Sequence, residues 1–475
     1  MEEEIELLDV DDDLIITKKN QEKKNVEIKE EKKIGVKKEI NNNDNSKRTK
    51  KKLKKSVARK MQILFCSFSA IFILGCCVFY GLRFIKYYRI YNPKIDGNTR
   101  GVFLADYIEG KTEYATDDED GLVSSSGNYI YKGNVTNNYL KYNNMLWRII
   151  RINSDKSIDI VLDDYISLLP WSKEIKSFKD SDIFKYLNKE FLNNLDKSLL
   201  TTTSYCTNEI TELTKITCEK QDNDNYVKLL DIMNFLNSVN NGKSYLVKEE
   251  ELVWLSDFGN EKVWHTNGIN VSESDSNTFY EIRPVVRLKE TSLYTEGDGT
   301  IANPYQLGSV DKLSVGSEVV LDNDKWIVYD MENSIKLMRK DLIEKQIDFD
   351  KEKLTYDGSN LMTYLNETYL NSLSYKDLLV ENTWYIGAYK DSLNDVKETT
   401  VKAKVGIPNI LDIKFDSDIK SYFTSTSMED RILVYENPYR PSRITTYRSV
   451  RPCISLSKDT ANKLKYVDGL FVLGE

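Results

Sequence analysis

The sequence predicts an α+β architecture in which a single transmembrane helix is followed by two homologous extracellular α+β domains. Three observations predict it. An uncharged run of 22 residues, "MQILFCSFSAIFILGCCVFYGL", extends from Met61 to Leu82. The stretch Ser181–Leu195 recurs as Ser359–Leu373 at a constant offset of 178, with seven of 15 positions identical. Two nearly equal lines, "EIRPVVRLK" from Glu281 and "SVRPCISLS" from Ser449, close the two copies.

Taken in order, residues 1–60 alternate acidic and basic blocks and are poor in aromatics, a composition that buries too little apolar surface to offset chain entropy. They read as a disordered cytoplasmic tail. Within it, "EIELLDVDDDLII" (Glu4 to Ile16) mixes acidic and branched apolar residues, as a docking motif for a cytoplasmic partner would. The uncharged run 61–82 is about 33 Å long as a helix, enough to cross a hydrocarbon core of roughly 30 Å. "KRTKKKLKKSVARK" before it holds nine Lys or Arg, against five in the 20 residues after it. The positive-inside rule therefore puts the N-terminus in the cytoplasm and the C-terminal domains outside, in a single-pass membrane protein. Residues 83–120 read as a stalk. Aromatic Phe84, Tyr87, Tyr88 and Tyr91 suit the outer membrane interface.

Residues 121–307 and 308–475 read as repeat domains 1 and 2. In each, a Trp opens a strand, Trp147 in "LWRIIRI" and Trp326 in "KWIVYD", and a polar turn leads to a second alternating strand. The recurring helix follows, with Ile183, Leu187, Phe191 and Leu195 every four residues on one buried face. A variable middle and a second short helix lead to strands ending in Arg-Pro. Pro284 and Pro452 lack an N–H donor, which places them at a strand start or edge. Arg283 and Arg451 beside them read as structural arginines that neutralise a carboxylate of their own unit. "YTEGDGTIANPYQLG" (Tyr294 to Gly308) is the turn-rich joint between copies.

The motifs "NNYLKYNNMLWRIIRI" (Asn137 to Ile152), "RPVVRLK" and "GDGTIANPY" resemble a group of uncharacterised surface-anchored proteins of Gram-positive bacteria and their wall-less relatives. The tandem unit is similar, more distantly, to domains of unknown function with the C-type-lectin-like topology of formylglycine-generating enzymes. The resemblance covers residues 121–475. It implies a C-type-lectin-like fold but carries over no activity, because the cysteine-based metal site of the formylglycine enzymes has no matching Cys pair here.

The chemistry is sparse. The whole chain has a net charge of −8, with +4 in residues 1–60, so the rest carries −12. An acidic folded part argues against nucleic acid, whose phosphates need a clustered basic face. Of six cysteines, Cys206 and Cys218 are expected to close a disulfide loop in an outer compartment. Cys453 replaces Val285 in the aligned strand and reads as a small buried apolar residue. The one histidine, His265, lacks the partners of a triad or zinc site. "TDDEDG", "QDNDN" and "LDND" read as solvated turns that hold no calcium. No catalytic residue, metal site or cofactor is expected. Exposed Trp254, Trp264 and Trp384 are candidates for sugar stacking, while Trp147 and Trp326 read as core. The functional expectation is a non-catalytic, membrane-anchored ectodomain that binds a glycan, wall polymer or protein outside the cell. Its alternatives are an enzyme using paired carboxylates, and a signalling or scaffold protein.

Overall fold

The computed structural model describes residues 59–61, 65, 67, 69, 71–84, 94–95 and 99–473, apart from 176, 308–310, 416–420 and 437–438. The chain divides into two units, Met1–Tyr88 and Arg89–Glu475. The tail reading falls outside the described residues except for Arg59 and Lys60, and the docking motif lies wholly outside them.

In the first unit the described residues 59–61, 65, 67, 69 and 71–84 are helical. Among the described residues no helix is long and apolar enough to cross a membrane. The expected transmembrane helix over 61–82 is thereby corrected, together with the single-pass, extracellular placement built on it. Hydropathy counts apolar residues and does not by itself specify a spanning helix.

The second unit is built mainly from strands. The expected α+β class, with its C-type-lectin-like topology, gives way to a mostly β fold with 35% strand and 21% helix. The reason lies in element length. Each copy contributes one principal helical segment, whereas short runs of alternating apolar residues supply sheets of nine and five strands in the first copy and of seven and five in the second.

The same four strands, all antiparallel, run inward from one edge of each large sheet. In the first copy the order is Val227–Leu229, Pro284–Leu288, Ile158–Leu162, Met145–Ile152. In the second it is Val405–Gly406, Cys453–Leu456, Ile335–Arg339, Asp324–Asp330. Each small sheet also carries one parallel pair, Val253–Phe258 with Tyr280–Ile282 and Tyr422–Met428 with Arg448–Val450. Trp147 and Trp326 are fully buried where these sheets meet the core.

The recurring helical segment docks in the same way twice. Ser181 caps Asp182–Lys189 by accepting the Phe184 N–H at 3.0 Å, and Ser359 caps Asn360–Thr363 by accepting the Met362 N–H at 3.1 Å. The four-residue stripe Ile183, Leu187, Phe191 and Leu195 is buried, as is its counterpart Leu361, Leu365, Tyr369 and Leu373. Asn188 donates to the Val227 carbonyl at 2.8 Å and accepts its N–H at 3.1 Å. Asn366 does the same to Val405 at 2.9 and 3.0 Å, again across 39 residues. The copies diverge next to this clamp: the first continues as a 3₁₀ turn at Phe191–Asn194, the second as a π turn at Tyr364–Tyr369. The second short helix, Ile232–Ser238, has no counterpart among the described residues 407–415 of the second copy, which are turn and coil.

Within residues 83–120, the helix Leu104–Lys111 buries Leu104, Ala105 and Ile108 in the first copy's core, and Tyr107 stacks on Tyr294 with ring centroids 3.6 Å apart. From the joint, Tyr305–Gln306 joins the large sheet as a parallel strand beside Leu140 and Lys141.

Candidate functional site between the two copies

A strap of the second copy ties it to the first. Ile410 O accepts from Ser167 Oγ at 2.5 Å, Leu411 O accepts from Tyr186 Oη at 2.7 Å, and Lys414 N donates to Ile166 O at 2.7 Å. The phenols of Tyr165 and Tyr435 also meet across this seam. Two cavities open along it.

The larger, about 1000 Å³, lies at one end of the two small sheets. The first copy contributes Phe279 and Tyr280 from the start of strand Tyr280–Ile282, and the second contributes Tyr389 and Tyr439. Tyr389 is set by its N–H to Ser427 O at 2.7 Å, and Phe279 meets the rings of Tyr389 and Tyr439 edge-on at 5.6 and 6.1 Å. Phe279 and Tyr280 are half-buried and line the opening. Lys173, Lys390, Asp391 and Glu429 also line it. Lys173 and Asp391 pair across the seam at 2.7 Å. The turn carrying Lys390 and Asp391 is held by Asp395, whose Oδ2 accepts the N–H groups of residues 390, 391 and 392 at 3.2, 2.8 and 2.9 Å. Burial would raise the Asp395 pKa, but these N–H bonds outweigh it and hold the carboxyl below its ordinary value.

The second cavity, about 330 Å³, lies between the first copy's helix and the second copy's leading hairpin and strap. Two of its carboxylates come from different elements. Asp330 pairs with Lys336 at 2.9 Å, while Asp412 Oδ2 accepts the Asn409 N–H and Nδ2, both at 2.9 Å. Burial raises the Asp412 pKa against the opposing pull of Lys414 and Lys336. Burial also drives Lys414 down to about 8 and pushes the Cys453 thiol up to about 12, so Cys453 is a protonated, unreactive core residue. Asp412, its carboxyl biased toward the acid form, and Asp330, paired with Lys336, thus line one cavity, an arrangement able to exchange a proton with a bound molecule.

The residues singled out from sequence fall elsewhere. Cys206 and Cys218 are joined in a disulfide beside the hairpin of Thr203–Cys206 and Gln221–Asn225, and line neither seam cavity. Trp254, Trp264 and Trp384 are buried and offer no exposed face for a sugar. His265 is buried between Trp254 and Tyr280, with burial lowering its pKa and keeping it neutral, so it supports the groove from behind. Arg283 binds main chain: its Nε and Nη2 donate to Leu162 O at 3.1 and 3.0 Å, with Glu251 at 3.7 Å. Arg451 Nε donates to Arg339 O at 2.9 Å, at the matching strand end. "QDNDN" is a strand whose Asp222 pairs with Lys179 at 2.6 Å, and Asp324 of "LDND" pairs with Arg339 at 2.6 Å. Among the described residues no cluster of three metal-ligating side chains occurs. The groove aromatics Phe279, Tyr389 and Tyr439 come from segments far apart in the sequence, which only the packing of the two copies brings together.

No protein-family model matches the chain, and neither a curated protein nor a solved structure is found to be similar to it.

Proposed function

We propose that this is a non-catalytic tandem-repeat binding protein whose ligand, a glycan, a wall polymer or a protein segment, sits in the groove where the two copies meet. The observation that supports this reading is the groove of about 1000 Å³, with half-buried rings contributed by one copy and buried tyrosines by the other. Its volume is at the upper end of small-molecule clefts. Covering the open ring faces would gain roughly 25 cal/mol per Å². The test is a thermal-shift screen of the full chain beside Asn277→Trp, which fills the groove mouth. A compound that stabilises the parent chain and not the variant supports the reading; compounds that shift both equally refute it.

A second reading, a hydrolase using paired carboxylates, is favoured by Asp330 and Asp412 lining one cavity. It expects turnover of a glycosidic or ester substrate that Asp412→Asn abolishes without lowering the melting temperature.

A further inference from the structure

We infer that the seam groove selects an uncharged saccharide chain, an inference that rests on the binding reading above and narrows it to one chemical class. Three features of the groove lead there. The first is ring geometry. Phe279 and Tyr280 are successive residues, half-buried, and each is braced from behind: Phe279 by Tyr389 and Tyr439, Tyr280 by Trp254 at 4.7 Å and His265 at 4.8 Å. Braced rings lose little side-chain entropy when a flat apolar surface covers them, and the C–H face of a pyranose is such a surface.

The second is charge. The groove carries two cations, Lys173 and Lys390, and two anions, Asp391 and Glu429, with one of each already paired across the seam. A polyanion such as a phosphate polymer would meet as many repelling as attracting groups, and a polycation likewise. A neutral polyhydroxyl chain meets neither penalty, and the same groups serve its hydroxyls as donors and acceptors.

The third is construction. The walls come from both copies, and the seam is fixed by main-chain bonds of the strap, so the rings are in place before a ligand arrives. Preorganisation of this kind lets a shallow, weakly polar ligand bind with measurable affinity.

The experiment is calorimetric titration of the full chain with maltohexaose, cellohexaose and chitohexaose at low and high NaCl, with heparin and a proline-rich decapeptide as polyanion and peptide probes. The expected result is binding of at least one hexasaccharide, with an affinity that changes less than about twofold with salt. Phe279→Ala should weaken it about tenfold. Phe279→Tyr, which keeps the ring face, should retain it, and Tyr447→Ala, at an exposed site outside the groove, should leave it unchanged. Heparin or peptide binding that is lost in Phe279→Ala, without saccharide binding, overturns the saccharide class and leaves the groove as a binding site. Binding of none of the five probes at millimolar concentration overturns the saccharide inference and, with a negative thermal-shift screen, the binding reading as well.

Discussion

Replacing Asn188 or Asn366 by alanine should destabilise the protein by nearly the same amount in either copy. Each side chain holds both polar groups of one buried valine, Val227 or Val405, through two hydrogen bonds of 2.8 to 3.1 Å. Both valines are fully buried, so water cannot replace the lost partners. A buried donor or acceptor left alone costs about 1–3 kcal/mol, and with one of each left at either valine each Asn→Ala change should cost roughly 2–6 kcal/mol. Asn→Asp keeps the acceptor and loses the donor, and should fall between parent and alanine. The assay is urea unfolding of the full chain followed by tryptophan fluorescence, for which the buried Trp147, Trp171, Trp254 and Trp326 are suitable reporters. A loss below about 0.5 kcal/mol at either site would show that the clamp does not hold helix to sheet, and unequal losses would show that the copies no longer share one docking mechanism.

Three further outcomes are expected. Asp159 is buried and bridges Arg151 and Arg287 at 2.7 and 2.6 Å; burial would raise its pKa, but these partners hold it to about 2. Because the folded value lies below the unfolded one, its contribution of about 2 kcal/mol is complete above pH 4 and disappears as pH falls through 2, and Asp159→Asn should flatten that acid limb of the stability curve. Burial raises Asp164 to about 6, so its stabilising effect is complete below pH 4 and is lost as pH rises through 6. Asp164→Asn, which can still accept the Tyr165 N–H, should raise the melting temperature at pH 7.5 and leave it unchanged at pH 3.5. Reducing the Cys206–Cys218 disulfide, a separation of 12 residues, should cost on the order of 3 kcal/mol in the chain-entropy model, read as a lower melting temperature in dithiothreitol.

The duplication was legible because it is written in side chains that touch the backbone. Ser181 with Ser359 and Asn188 with Asn366 persist as caps and clamps, and the matched Trp147 and Trp326 mark equivalent strands. The strand Gln221–Asn225 was not legible, since none of its residues is apolar and its pairing is supplied by the neighbouring strand and disulfide. Large tryptophans drew attention as stacking surfaces, yet size favours burial, and Trp254, Trp264 and Trp384 went to the core. The groove depends on which loops two folded copies bring together, and that pairing is a property of tertiary packing to which no local pattern corresponds. The apolar run before the domains reads as a span from its composition alone, which is local, whereas no described helix is long and apolar enough to cross a membrane.

The strap bonding Ile410, Leu411 and Lys414 to the first copy couples the two halves through polar groups that each would lose alone. Severing the polypeptide between the copies should yield fragments that remain associated, and expressing one half alone should expose donors that have lost their acceptors. Because two of the bonds end on main-chain oxygen and the third is wholly main chain, the second copy's strap side chains remain free to diverge while the pair stays joined. Such an arrangement lets one twin conserve the scaffold while the other explores new surfaces.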